Sequence, residues 1–597
     1  MNPAKLVPDQ IDVLICGGTV FDGKGGEGVL ADVAIADGKI AAVAPPGSFD
    51  TAIGPADLRR VDARGCWVTP GFVDLHTHYD GEIEVGPGLL ESVRHGVTTV
   101  LLGSCSISAA IGEPEDIADI FCRVEGVPRA HMLPLLQQRK DWHTLPAYLD
   151  HLDALPLGPN VAAYVGHSNL RMAVMGLARS VRPGERPSDE ELATMARMLE
   201  EALDAGYIGL SAQTLPWDKL DGERERSKPL PGVFATWSEI RSLTQILRRR
   251  GRVFQGVPNL VTKLNVLLFL WESVGLWRPK LRTTVISWMD VIADRKVDGL
   301  VRTLLGVFRG LLGVEFRFQA LPNPFEVRAD GMDLVIFEEF GAGAEALHLA
   351  DLGKRGALLA DPDYRARFLR QWRAMFSPRI YHRDFRRSCI EACPDASTVG
   401  KSFAQVAAER GTEPALAFLD LCAAHGDALR WHSVVANDRP DVLARIVAHP
   451  GVLIGFSDAG AHLRNMAFYD FGLQLLRFCA ERQAAGTPVM SIGRAVHRLT
   501  GEIADWLGID AGHLAVGKRA DLVVLDPQAL VARPGTVEEA EIAAFGGLRR
   551  LVNRAPGVVR QVYVAGRLAV QDDVAAPAFG VEPGYGRVLR CDRASAA

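Results

Sequence analysis

The sequence lacks any apolar run long enough to cross a bilayer. The longest, Leu264 to Trp277, is interrupted by Asn265, Glu272 and Ser273 and falls short of the about 20 residues a spanning helix needs. Its first residues, Met1 to Asp9, hold no apolar stretch of the secretory kind. The nine cysteines are scattered without a disulfide framework, so a reduced, cytoplasmic compartment is expected. Excess charge is absent too: 66 Lys and Arg against 72 Asp and Glu leave a net −6, which gives nucleic acid or an anionic membrane no electrostatic hold. There is no internal repeat and no low-complexity tract. What is present is a globular chain of 597 residues, 48% hydrophobic and 23% charged, long enough for one large domain and a smaller one.

Against that background the most informative segment is the apolar run Val68 to Leu75, read as a buried strand, followed by His76 and His78. Alternation along an extended chain points both imidazoles to one side, where they can share a metal ion. Two further apolar runs end in metal-ligating types: Gly96 to Ser104 leads into Cys105, and Val452 to Ser457 leads into Asp458. Thiolate, imidazole and carboxylate make a zinc shell, and an aspartate beside a metal-activated water is a general base.

Between short β patterns at the two ends, strand and helix patterns alternate, which argues for parallel strands with crossover helices, most simply a barrel. Eight strands are expected, the remaining six at Asn160 to Gly166, Tyr207 to Ala212, Arg252 to Gly256, Thr283 to Ser287, Val314 to Ala320 and Val452 to Phe456. Residues 1–68 and 507–597 form one small β domain, with a hairpin turn at Asp37-Gly38. Residues 69–506 form the barrel, with an inserted, largely helical region at about 325–430 on the loop face. Cys389 and Cys393 are placed one helical turn apart and read as structural. The apolar stretch 264–277 and its counterpart Leu300 to Leu312 are expected to serve as core or as a contact between copies, leaving homo-oligomerisation open, with a greasy lid or membrane-surface contact as the alternative.

Several residues beside these strand ends can reach the same mouth. His167, after the third strand, is a candidate for ligating the metal or polarising a carbonyl, and Arg171 for binding a substrate carboxylate; both can equally be outer hydrogen-bonding groups. The charged run Trp217 to Lys228 reads as a solvated surface or a mobile lid. His462 and Arg464 follow Asp458 on its loop and are placed to orient it or touch substrate.

The segments "GGTVFDG", "ADVAIADGKIAAV", "TPGFVDLHTHYDGE", "GVTTVLLGSC", "YVGHSNLR", "GFSDAGAH" and "GHLAVGKRADLVVLDP" resemble those of the amidohydrolase superfamily, and within it the N-acyl-D-amino-acid deacylase group. The resemblance implies a (β/α)8 TIM barrel with a flanking β-sandwich from both chain ends. It also implies a divalent metal, usually zinc, and hydrolysis of the C–N amide bond of a small molecule, with Cys105 matching a strand-two metal ligand and Asp458 the proton-shuttling aspartate. The chain departs from that group at strands five and six, whose ends carry histidine ligands in the deacylases. Here Gln255 and Asp290 are the nearest polar occupants and are candidates for substrate contact, Asp290 alternatively for an ion pair or cap. One zinc ion held by His76, His78, Asp458 and Cys105 is therefore favoured, with a second ion left open. Cyclic amides, carbamates and lactones fit the same chemistry, and a non-catalytic ligand-binding barrel is the alternative outside it.

Overall fold

The computed structural model describes residues 11–49, 58–259, 265–276, 278–374 and 379–591. Residues 1–9, Leu264 and Trp277, on which expectations were placed, lie outside the described residues. Eight parallel strands follow one another in sheet order exactly as in the chain: Phe72–Asp74, Val97–Leu102, Asn160–Gly166, Gly209–Gln213, Val253–Val257, Arg282–Val285, Phe316–Ala320 and Val452–Ile454. All eight expected strands are present within a few residues. The barrel closes beyond the ends of its first and last strands, where Thr77 bridges Ala459, His78 N–H donates to the Ala459 carbonyl at 2.8 Å and Asp458 N–H to that of His76 at 3.2 Å.

The run Val68 to Leu75 is two strands rather than one. Trp67–Pro70 belongs to the small domain, where it pairs antiparallel with Leu522–Leu525, and Phe72–Asp74 opens the barrel. Gly71 is the crossing point, and a Cβ there would sit 1.9 Å from Thr98 Oγ1, so only glycine lets the chain pass. The small domain itself is one nine-stranded sheet in which N-terminal and C-terminal strands meet at that pair. A separate C-terminal hairpin, Thr536–Ile542 with Leu548–Arg554, reaches back to the barrel mouth, where Leu551 N–H donates to the Leu463 carbonyl at 2.7 Å.

The insertion between the seventh and eighth strands is not merely helical. It carries a three-stranded antiparallel sheet, Phe325–Asp330, Arg430–Ala436 and Ser388–Ala392, and so extends to Ala436. Cys389 lies on the third of these strands, not on a helix. Helices such as Pro362–Trp372 and Pro414–His425 cover the sheet around a core of Phe337, Phe368, Trp372, Phe403, Phe418 and Trp431. The helices Asn265–Ser273 and Val297–Leu312, which follow the fifth and sixth strands, bury one face only. Leu268, Trp271, Leu300, Val307 and Leu311 are exposed, Leu311 at 72%, so part of the apolar surface expected to be core is open to solvent.

Candidate metal centre

At the C-terminal rim of the barrel, where such folds place their chemistry, His76 and His78 leave the first strand and face Cys105 from the second. One ligand atom from each lies within 4.8 Å of the other two, and all three side chains are buried. His76 Nε2 stands 3.1 Å from Cys105 Sγ and 3.4 Å from Asp458 Oδ1, and His78 Nε2 stands 3.6 Å from the same oxygen. Cys105 and Asp458 both hold left-handed backbone conformations, φ 53° and φ 54°. Non-glycine residues rarely adopt them, and they concentrate where side-chain placement matters more than local comfort.

The cluster is arranged to receive a cation. His76 Nδ1–H donates to Gln319 Oε1 at 2.6 Å, which leaves the Nε2 lone pair aimed at the sulfur and the carboxylate. Burial pushes His76 down to about 4, so the ring is neutral and available as a donor. Burial opposes charge on Asp458 as well, but the hydrogen bond from His78 and the two neighbouring imidazoles hold its carboxyl below the usual range. A lone pair, a sulfur and a carboxylate converging in a buried space repel one another unless a cation lies between them. Two imidazoles, a thiolate and a carboxylate are a zinc-type donor set.

The surrounding polar groups sort clearly. Gln255, at the end of the fifth strand, accepts the Cys105 N–H at 3.2 Å and so holds the cysteine loop. Asp74 receives N–H groups of His76 and Ser457 and the Ser457 hydroxyl, tying the first strand to the eighth-strand loop, and burial pushes it up to about 7. His167 lies outside the metal-facing cluster: its Nε2 is 3.0 Å from Glu239 Oε1, and its Nδ1 has no hydrogen-bond partner among the described residues. Arg171 is fully buried and spent on Glu239 and on the carbonyls of Ser180 and Glu185, which replaces the expected substrate contact. Asp290 is likewise committed, ion-paired to Arg439 at 2.5 Å and Arg295 at 2.8 Å, the alternative its strand-end position allowed. Arg464 pairs with Asp330 and Glu539, whereas His462 lines a cavity of about 270 Å3.

Gln319, Asp74 and Glu239 were not anticipated. Gln319 could have been found by the criterion that picked out Cys105, a polar residue at the C-terminal end of an apolar barrel strand. Glu239 gives no such signal, because it sits in the first turn of a crossover helix, Trp237–Arg249, where acids are common for dipole reasons.

A closed parallel barrel with imidazoles, a thiol and a carboxylate converging on its rim defines a metal-centred barrel protein. Residues 404–570 match the amidohydrolase family. Over 588 residues the chain is 47% identical to the uncharacterized protein Rv2913c of Mycobacterium tuberculosis, covering 98% of this chain and 95% of that one. It is 28% identical over 551 residues to the N-acyl-D-glutamate deacylase of Alcaligenes xylosoxydans xylosoxydans, covering 91% and 93%. The structure of the N-acyl-D-glutamate deacylase of Bordetella bronchiseptica, complexed with zinc and a phosphonate mimic of the tetrahedral intermediate, superposes with a TM-score of 0.61 at 23% identity, covering 97% of this chain and 100% of that one. The chain belongs to the amidohydrolase superfamily.

Proposed function

We propose that this chain is a metal-dependent hydrolase that cleaves the C–N amide bond of an N-acyl amino acid or a related amide. The observation that carries this reading is the convergence of His76, His78, Cys105 and Asp458, with His76 fixed by Gln319 in the tautomer that donates from Nε2. The deacylase relatives, matched along nine-tenths of the chain, support the bond type. Gln255 stands where a second ion would need a histidine, and its amide is occupied by the cysteine loop, which supports a single zinc ion.

When bound, zinc supplies a Lewis acid and brings the pKa of water toward neutrality. The remaining work falls to the chain. Asp458 is held ionised with Oδ1 against both imidazoles, so its other oxygen accepts the proton of the attacking water and returns it to the departing nitrogen. His167, its Nε2 donating to Glu239, ties the helix after the third strand to the helix Trp237–Arg249 from outside the metal-facing cluster, and His462 approaches from the cavity side as the group to polarise the carbonyl. Nine cysteines without a disulfide among the described residues support a cytoplasmic setting, and the exposed face of the helices Asn265–Ser273 and Val297–Leu312 supports a homo-oligomer.

Asp458→Asn tests the mechanism. Turnover of N-acyl amino acids by zinc-loaded protein is expected to fall at least about 1,000-fold, with zinc content by elemental analysis largely kept. Retained activity in a metal-replete variant removes Asp458 from the proton-transfer role. Metal content of His76→Ala tests the centre itself: stoichiometric zinc in this variant excludes the proposed site.

A further inference from the structure

The charged loop after the fourth strand keeps Glu223, Arg224 and Arg226 exposed, yet it is anchored rather than detached. Trp217 and Leu220 are buried, and the loop is anchored to the helix Pro114–Glu125 through the Asp221 N–H on the Asp119 carbonyl and through Arg224 on Asp116 and Asp119. It walls the 270 Å3 cavity together with the insertion and with His462. Trp217 packs in one apolar cluster with Cys105, Leu215 and Val257, and His462 acts electrostatically on Asp458, so two of the cavity's lining residues adjoin the metal-facing ones.

Most charged groups lining it are paired: Arg355 with Asp333 at 2.7 Å, Arg123 with Glu338 and Arg226 with Asp221, each at 3.5 Å. Lys219 differs. It lines the cavity half-buried, and its ammonium makes no ion pair or hydrogen bond among the described residues. Burial opposes its charge, and Glu338 and Asp218 are the acids that favour it. Glu338 is already shared by Arg123 and His348, and Asp218 is bonded to Gln213. A partly desolvated ammonium without a counter-ion costs stability, and a ligand anion removes that cost.

We propose that Lys219 is a specificity-determining residue that binds a carboxylate of the substrate while the amide lies at the metal centre. This rests on the hydrolase reading above. Both the α-carboxylate and a side-chain carboxylate of an N-acyl amino acid carry the required chemistry, and the substrates tested separate them.

Zinc-loaded wild type, Lys219→Met and Lys219→Arg are compared on the D and L forms of N-acetyl-leucine, N-acetyl-leucinamide, N-acetyl-glutamate and N-acetyl-glutamine, alongside zinc content and melting temperature. Lys219→Met is expected to lower kcat/KM about 30-fold on substrates that carry the recognised carboxylate, mainly through KM, with partial rescue by Lys219→Arg. A loss on N-acetyl-leucine spared on its amide assigns the α-carboxylate, and one confined to glutamate against glutamine assigns the side-chain carboxylate. An equal loss on charged and uncharged members, or no loss, overturns the assignment. Thermal stabilisation by N-acetyl-glutamate or N-acetyl-leucine separates the two failures. If wild type is stabilised without turnover and Lys219→Met is not, the hydrolase reading falls and Lys219 stands; neither turnover nor stabilisation overturns both.

Discussion

At the residue scale, single hydrogen bonds decide which atoms of a histidine are available. Gln319 selects the donor nitrogen of His76, and a parallel case in the insertion has a measurable consequence. His382 Nδ1 accepts the Asp384 N–H at 2.9 Å while Nε2 lies 3.0 Å from Ser433 Oγ, an arrangement only the neutral ring can satisfy. Burial pushes His382 down to about 4, whereas in the unfolded chain it titrates near 6.5. Between those values the unfolded state binds the extra proton, so stability falls as pH drops from about 6.5 to about 4 and levels off below. Unfolding of His382→Asn across this range is expected to show about 3 kcal/mol less acid destabilisation than wild type; identical pH profiles would show that the ring is not held neutral.

At the element scale, the barrel strands were legible because each is a short apolar run bounded by turns and followed by a helical pattern. Cys105 and Asp458 were legible for the same reason, as polar residues at such ends. The sheet inside the insertion was not, because its strands Phe325–Asp330 and Arg430–Ala436 pair across a separation of 100 residues from Asp330 to Arg430 and meet only through tertiary contact. The insertion's hydrophobic core is distinct from that of the barrel. Phe418 stacks on Phe337 and Phe385 at 5.6 and 4.9 Å and meets Phe403 and Trp431 edge-on. Phe418→Ala is expected to cost 3–5 kcal/mol, appearing as faster limited proteolysis within the insertion while the barrel fragments stay protected. Cleavage at the wild-type rate contradicts that packing role.

At the scale of the whole molecule, the candidate metal centre sits on the seam where the barrel closes. His76 and His78 come from the beginning of the barrel and Asp458 from its end, and the backbone bridge Thr77 to Ala459 runs between them. An ion held there binds the folded state and joins both ends of the closed sheet, which stabilises by mass action, about 4 kcal/mol at a thousandfold excess over Kd. Chelation is therefore expected to lower the melting temperature of wild type by several degrees and to leave His76→Ala unaffected. Equal responses of the two proteins to chelator place any bound metal elsewhere.

The succession of strands along the chain and the strand-end positions of His76, His78, Cys105 and Asp458 were determined by local pattern, since strand alternation and strand ends are properties of neighbouring residues, whereas the departure at Gln255 was visible only through the resemblance to the deacylases. The tertiary structure alone decided where long charged side chains spend their charge. Arg171 turned to Glu239, Asp290 to Arg295 and Arg439, and Lys219 into a cavity with no ion pair among the described residues. A flexible charged group finds its lowest energy among acceptors that the fold gathers from distant parts of the chain, and no local pattern encodes that choice.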